Sequence, residues 1–401
     1  MSSYDIGNEM IFNRVWPKLA LCVIASTLYA ENVMSLESYS RFKPAIISES
    51  AIVIDADTGA VLFDKNSQKK MPPASLTKMM TMYIASEAYT SNVFNFDTDI
   101  AVSPYAANMD GSKMFISNNQ TIKGHDAVQG IIVSSGNDVA VAMAEFISGT
   151  SDNFTKLMNS KSEQLGMFDT HFSNPTGLHT DDMLSTAYDL ALLSRSLIQD
   201  FPDLYDWYKQ KSFTYNDIKQ SNRNRLLYMT PDADGIKTGF TSQAGYCLAS
   251  STLRDGRRLI IVTLNAPNEK ARYDDHLKLI NYAYREFDNI ELFGEDEVLE
   301  QTRVWFGQET MLAVSPKQPI VATIPKSATQ QVRVDLVVNP KLTAPIEKNQ
   351  PVGTMTVSLD QIPLTSSQIV AKDNVELGGW LTRQKEQAKY WAHQLTQYYL
   401  K

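Results

Sequence analysis

A strand-like opening, a long helical stretch and a return to strands constrain this chain more than any other pattern in it. Ala51 to Asp55 and Ala60 to Asp64 are strand-like around an Asp57-Thr58-Gly59 turn and read as a hairpin. Helical patterns dominate from Leu76 to about Gln199, broken near Gly111, Gly136, Gly149 and Gly177. Strand character resumes from Tyr246 to Ala266, where Leu259-Ile260-Ile261-Val262 is the most apolar run, and an amphipathic helix follows over Arg272 to Phe287. This order predicts an α+β fold: a layered unit with an inserted α domain and a cleft between them.

Three short motifs sit at the junctions of that pattern: Ser75-Leu76-Thr77-Lys78, Ser135-Gly136-Asn137 and Lys237-Thr238-Gly239. Each alone is weak, since S-x-x-K is expected about once or twice by chance in a chain of this length. Chance matches are visible at Ser40–Lys43 and Ser67–Lys70, and S-x-N recurs at Ser117–Asn119 and Ser151–Asn153. Context separates them. Pro72-Pro73-Ala74 precedes Ser75 and a helix-forming run follows it, which places the hydroxyl at a helix N-terminus where negative charge is favoured. Lys78 then lies on the same face, about 5–6 Å away between Cβ atoms. The prolines bar a helix from Ser67 through Lys70, and Pro44 ends the segment of Ser40. Ser135 falls between the apolar runs 127–133 and 139–146, which predicts a turn buried among helices. Ser151 reads as a helix N-cap and Ser117 as a surface turn.

The residue types fit one chemistry. A serine hydroxyl is a poor nucleophile until a neighbour removes its proton. Lys78 can do so only when neutral, which requires burial and a second cation, for which Lys237 is the candidate. Ser135 can relay a proton to a leaving amine, and Asn137 can hold a backbone amide of the substrate. Lys237 and Thr238 on a strand can grip a carboxylate, while Gly239 is expected to let a substrate backbone come close. The backbone N–H groups of Ser75 and Phe240 are the natural oxyanion donors.

With these motifs, and with the stretches Pro73–Met80, Asn222–Leu227, Asp234–Gly239 and Arg303–Gly307, nearly the whole mature chain resembles the D-alanyl-D-alanine carboxypeptidases among the low-molecular-mass penicillin-binding proteins. The resemblance implies a penicillin-binding, serine β-lactamase-like transpeptidase domain, with an antiparallel sheet, helices on both faces and an α insert. It implies removal of the terminal D-alanine from peptidoglycan stem peptides, acylation of Ser75 by β-lactams, and Arg223 and Arg272 as helpers at the substrate end of the cleft. Thr176, in Asn174-Pro175-Thr176-Gly177-Leu178, stands where some relatives carry histidine, and the segment between Lys78 and Ser135 is short. Endopeptidase action on crosslinks would use the same residues. A class A β-lactamase is disfavoured, because no glutamate between Ser135 and Lys237 has the expected loop pattern. A non-catalytic scaffold has no need of all five of Ser75, Lys78, Ser135, Asn137 and Lys237.

The remaining sequence adds organisation. At 401 residues, two or three domains are expected, and a net charge of −8 argues against nucleic acid. Arg14 and Lys18 precede a short apolar run from Leu19 to Tyr29 with small residues near Ala30, so residues 1–30 read as an export signal, with Met10 as an alternative start. Export would leave Cys247 as the single cysteine. The five histidines, 125, 171, 179, 276 and 393, show no zinc spacing, so neither metal nor cofactor is expected. A catalytic domain over 31–287 is followed by a composition shift. Short alternating runs over 288–376 predict a small β-sandwich.

After Gly378-Gly379, the residues Leu381, Ala388, Trp391, Leu395 and Tyr398 recur at helical spacing, with Arg383, Lys385 and Lys389 off that stripe and Glu386 the lone acid. Residues 377–401 are therefore expected to form an amphipathic helix lying on a membrane surface, too polar to span it. With the signal, this places the protein in the periplasm, anchored peripherally to the outer face of the inner membrane. The alternative is a helix packed on the β domain or a coiled-coil stub. A homodimer is left open by the sequence.

Overall fold

The computed structural model describes residues 34–399; the expected export signal lies outside them. The described residues divide into two compact units, one ending at Glu286 and one starting at Phe287.

The first unit is built on a five-stranded sheet. Its strands are β1 (Ser50–Asp55), β2 (Val61–Lys65), β3 (Ala233–Thr241), β4 (Gly245–Arg254) and β5 (Arg257–Ala266), in the spatial order β2-β1-β5-β4-β3, with every neighbouring pair antiparallel. The first hairpin therefore adds to a strand about 210 residues later, as Ile52 opposite Val262 and Val53 opposite Ile261 show. From Leu259 to Leu264 every β5 residue is buried, so both sheet faces need cover. The helices α1 (Lys78–Thr90), α2 (Asn137–Ser148), α3 (Ser151–Gln164), α4 (Ala187–Asp200) and α5 (Glu269–Glu286) supply the helical part, and α4 and α5 both pack on β5.

One buried histidine ties α5 to the sheet. His276 bridges Ser250 on β4 and Thr263 on β5 at 2.8 and 2.9 Å, and burial pushes it down to about 3, so it stays neutral at physiological pH.

Local details refine the sequence reading. The α-helix does not begin at Ser75: a single 3₁₀ turn, Ala74–Thr77, carries the serine, and α1 starts at Lys78. Ala74, at φ 49°, lies outside the right-handed helical region, so a regular α-helix cannot run back through it. The cap of α3 is Thr150, whose hydroxyl accepts from the Asn153 amide at 3.1 Å, one residue before the expected Ser151. Within the helical stretch a short hairpin, Asp99–Ala101 with Thr121–Lys123, escapes the periodicity argument because three residues are too few to show alternation.

The second unit contains β6 (Phe287–Phe293), β7 (Glu300–Arg303), β8 (Met311–Pro316), β9 (Ile320–Pro325), β10 (Val332–Val338), β11 (Pro351–Leu359) and β12 (Ile362–Ala371). Five of them form an antiparallel sheet in the order β7-β8-β12-β11-β10, and β6 pairs with β9. Leu312, Val314, Ala322, Ile324, Met355, Val357 and Ile369 are core residues of this unit.

A final helix, α6 (Trp380–Tyr399), belongs to this unit, and no helix among the described residues is long and apolar enough to cross a membrane. The helix has a docked side. Glu386, 4 % exposed, takes Arg303 Nη2 on both carboxylate oxygens at 3.1 and 2.8 Å, and Tyr390 packs on Trp305 and Phe306 with ring centroids 5.3 Å apart in each case. Docking thus uses residues i and i+4, including the lone acid of the helix. The apolar stripe lies elsewhere: Leu381 and Trp391 are 67 % and 60 % exposed. The membrane-surface and β-domain readings are compatible, because they use different sides of one helix.

Candidate active site

The site lies in the first unit, where the three motifs meet. Ser75 is half-buried in the 3₁₀ turn, behind Ala74 with its φ of 49°, a backbone conformation that costs energy for any residue with a Cβ. Lys78 is fully buried at the start of α1, and its Nζ has three partners: Ser75 Oγ at 3.3 Å, Asn137 Oδ1 at 2.6 Å and the Thr176 carbonyl at 2.6 Å.

The chemistry of those partners differs. A carboxamide oxygen and a peptide carbonyl only accept, whereas a hydroxyl can also donate. When Lys78 is neutral, its two hydrogens are taken by Asn137 and Thr176, and its lone pair is left facing the Ser75 hydroxyl. Burial, and then Arg223, push Lys78 down to about 7 against the opposing pull of Asp138, so a large neutral fraction exists at pH 7. Arg223 therefore acts on Lys78 as a further cation beside Lys237, with which Lys78 is mutually coupled.

The second motif is a sharp corner. Residues Gly130–Ser134 end the preceding helical segment in a π turn, Ser135 adopts φ 58° and ψ 32°, and α2 starts at Asn137. Ser135 is 2 % exposed, as a buried turn requires, but Lys78 donates to Asn137 and not to Ser135. Asn137 is tied at both ends of its carboxamide, accepting from Lys78 and donating to the Asp110 carbonyl at 2.6 Å, which leaves one donor and one lone pair for a substrate amide.

Asp138, which the sequence reading passed over, fixes the neighbouring wall. Its buried carboxylate accepts from the amides of Met114, Phe115, Ile116 and Val139 at 2.9, 2.8, 3.3 and 2.9 Å. An acid in the first turn of a helix beside a motif was the available signal.

The third motif lies on β3, the outer strand of the sheet. Lys237 is 3 % exposed, and its Nζ donates to the Thr238 carbonyl at 3.1 Å. Burial, then Lys78, Arg223 and Arg272, hold it well below the usual lysine range. Thr238 is 6 % exposed. Gly239 also serves a close approach within the chain itself. A Cβ there would stand 3.1 Å from the Pro73 carbonyl oxygen and 3.2 Å from the Ser75 amide nitrogen, so the missing side chain brings β3 against the nucleophile's own turn. That contact makes the backbone around Gly239 and Phe240 a neighbour of the Ser75 amide. The Phe240 ring is 55 % exposed and packs on Tyr246 at 4.5 Å between centroids.

The two arginines occupy different environments. Arg223 follows β3-anchoring contacts: Asn224 Nδ2 donates to the Gly235 carbonyl at 2.8 Å, and Arg223 Nε donates to the Ser134 carbonyl at 3.0 Å, next to Ser135. Arg272 is 4 % exposed on α5. Its Nη1 contacts the carbonyls of Gly239 and Cys247 at 3.5 and 3.4 Å, and its Nη2 donates to the Tyr273 hydroxyl at 2.9 Å. Its Nη2 also meets Glu269 Oε1 at 3.3 Å, and its Nε has no hydrogen-bond partner among the described residues, so it braces β3 while one of its donors stays unpaired. Lys78, Lys237, Arg223 and Arg272 together make a strongly electropositive region fit for an anion.

A serine hydroxyl in hydrogen-bonding distance of a buried amine, beside basic groups, is the arrangement that serine acyl transfer requires. The comparisons agree. Residues 37–268 match the family described as D-alanyl-D-alanine carboxypeptidase, and residues 287–377 match the penicillin-binding protein 5 C-terminal domain. The chain is 34 % identical over 383 residues to D-alanyl-D-alanine carboxypeptidase DacA of Escherichia coli (strain K12), covering 92 % of this chain and 95 % of that one. A crystal structure of penicillin-binding protein 5 from Haemophilus influenzae superposes with a TM-score of 0.77 at 33 % identity, covering 84 % of this chain and 99 % of that one. Penicillin-binding protein D2 of Listeria monocytogenes, solved in its ampicillin-bound form, is 30 % identical with a TM-score of 0.56, covering 61 % of this chain and all of that one. This chain belongs to the D-alanyl-D-alanine carboxypeptidase family of serine hydrolases.

Proposed function

We propose that this protein is a serine DD-carboxypeptidase that removes the terminal D-alanine from peptidoglycan stem peptides through an acyl-enzyme on Ser75. The observation that carries this reading is the Lys78 amine: two pure acceptors at 2.6 Å hold its hydrogens, and its remaining position faces Ser75 Oγ at 3.3 Å. The terminal carboxylate of the substrate is drawn to Lys237 and Thr238. Ser75 attacks the penultimate carbonyl as Lys78 takes its proton, and the Ser75 and Phe240 amides stabilise the oxyanion. Ser135 relays the proton to the departing D-alanine amine, and water then releases the shortened peptide. β-Lactams acylate the same serine, as the ampicillin-bound relative supports.

The reaction is tested by incubating the full chain with a pentapeptide ending in D-Ala-D-Ala and, separately, with a crosslinked peptide dimer. Release of free D-alanine from the pentapeptide is expected. Cleavage of the dimer alone contradicts the carboxypeptidase reading and favours the endopeptidase one.

We also propose that the protein is exported and held at the outer face of the inner membrane by α6. Exposed Trp380, Leu381 and Trp391 support this, since tryptophan and leucine beside lysines and arginines suit a membrane interface. Deleting residues 380–401 should release the protein from sedimented vesicles and leave its kcat/KM on a soluble peptide within about twofold of the full chain. Unchanged sedimentation contradicts the anchor.

A further inference from the structure

The proposed base is held by a backbone group that no motif names. Thr176 offers its carbonyl to Lys78 Nζ at 2.6 Å, while its own hydroxyl turns back to Asn174 Oδ1 at 2.8 Å. Asn174 Oδ1 also accepts from the amides of Thr176 and Gly177 at 3.0 and 2.9 Å, and Asn174 Nδ2 donates to the Leu178 carbonyl at 2.9 Å. One carboxamide thus folds residues 174–178 around itself.

The loop is also seated on the nucleophile's segment. Thr81 on α1 donates to the Pro175 carbonyl at 2.7 Å. Gly177 has φ +82°, and a Cβ there would stand 1.9 Å from the Ala74 carbonyl oxygen. The loop therefore touches the turn before Ser75 and the amine after it, and its internal shape decides where the Thr176 carbonyl points.

We propose that Asn174 is a positioning residue for the Ser75–Lys78 pair: by folding the 174–178 loop it makes the Thr176 carbonyl take one Lys78 hydrogen, which aims the lone pair of the amine at Ser75. This rests on the reading of Ser75 and Lys78 as nucleophile and base. The departure at position 176 is then without consequence for this contact, because a backbone carbonyl is supplied by any residue.

The test uses the full chain and a fluorescent penicillin, with active sites counted by the amplitude of complete acylation. Asn174→Ala should lower the acylation rate constant per titrated site by about tenfold or more, since misorientation of a base is costly. The acid limb of its pH profile should move to lower pH, because the ammonium has lost one of its acceptors while Arg223 and Lys237 still oppose it, with Asp138 the supporting charge and Asn137 Oδ1 the remaining strong acceptor. Asn174→Asp keeps the acceptor for all three donors, gives up the Nδ2 donation to Leu178 and adds a negative charge. It should recover most of the rate and shift the acid limb to higher pH.

A purely structural role changes the number of titrated sites and leaves the rate per site and the limb in place. The proposal is overturned if Asn174→Ala acylates within twofold of the parent with an unmoved limb, or if Asn174→Asp is as slow as Asn174→Ala. Should Asn174→Ala not fold, Asn174→Ser is read in the same way, with a reduced rate expected and a parental rate overturning the proposal. Absence of acylation in the parent chain would instead refute the serine–lysine reading itself.

Discussion

Lys78→Ala lowers the rate of Ser75 acylation by about 10⁴-fold or more, the scale on which removing the base of a serine nucleophile acts. The cause is specific: no other described side chain is hydrogen-bonded to Ser75 Oγ. The fold is expected to survive, because an alanine is a good helix former and the change removes a buried cation from the neighbourhood of Arg223 and Lys237. In the parent enzyme the same residue sets the pH dependence. With Lys78 pushed down to about 7, the active, neutral form is lost as pH falls, so kcat/KM should decline with unit slope below pH 7 and reach about one hundredth of its plateau two units lower. Stopped-flow acylation between pH 5 and 9 measures this. A flat profile over that range contradicts the assignment of Lys78 as base.

The second large effect is expected at Lys237. Burial and then Lys78, Arg223 and Arg272 oppose its ammonium form, and its Nζ hydrogen bond goes to a peptide carbonyl, so a substrate carboxylate supplies the opposite charge that favours it. Lys237→Gln should reduce kcat/KM for a D-Ala-D-Ala peptide by about 10²–10³-fold, as truncating one partner of a buried charge pair does. A peptide whose terminal carboxylate is replaced by carboxamide should be a poor substrate for the parent and lose much less on the Lys237→Gln change. Equal losses for both peptides would show that Lys237 does not read the carboxylate. Thermal stability should hold or rise in Lys237→Gln, since a cation repelled by three others has been removed.

Ser75, Lys78, the Ser135 corner and Lys237 on β3 were legible as candidates because the proposed chemistry needs particular side chains at short local spacings. Each spacing reflects one local geometry: a helical turn, a corner or a strand. What was not legible was supplied by backbone or by contacts across the fold. The Thr176 carbonyl has no residue signature, and only the Asn-Pro-Thr-Gly turn chemistry around it was visible. The close approach of Gly239 to the Pro73–Ser75 turn, more than 160 residues earlier in the chain, has no local signature either.

Arg272 illustrates a further limit. A helical arginine looks the same in sequence whether it opens on a cleft or braces a strand, and here it contacts the Gly239 and Cys247 carbonyls. The last helix shows the reverse. Its stripe of Leu381, Ala388 and Trp391 was readable from periodicity, while docking through Glu386 depended on Arg303, 83 residues away. The fold class was legible because the strand–helix–strand order permits few layered arrangements.

The most direct test is to treat the full chain with a labelled penicillin, digest it and locate the added mass. A single adduct on the peptide containing Ser75, lost in Lys78→Ala and restored in neither acid nor alkaline buffer, is the predicted result. An adduct on another residue, or undiminished labelling of Ser75 when Lys78 is alanine, would contradict the account.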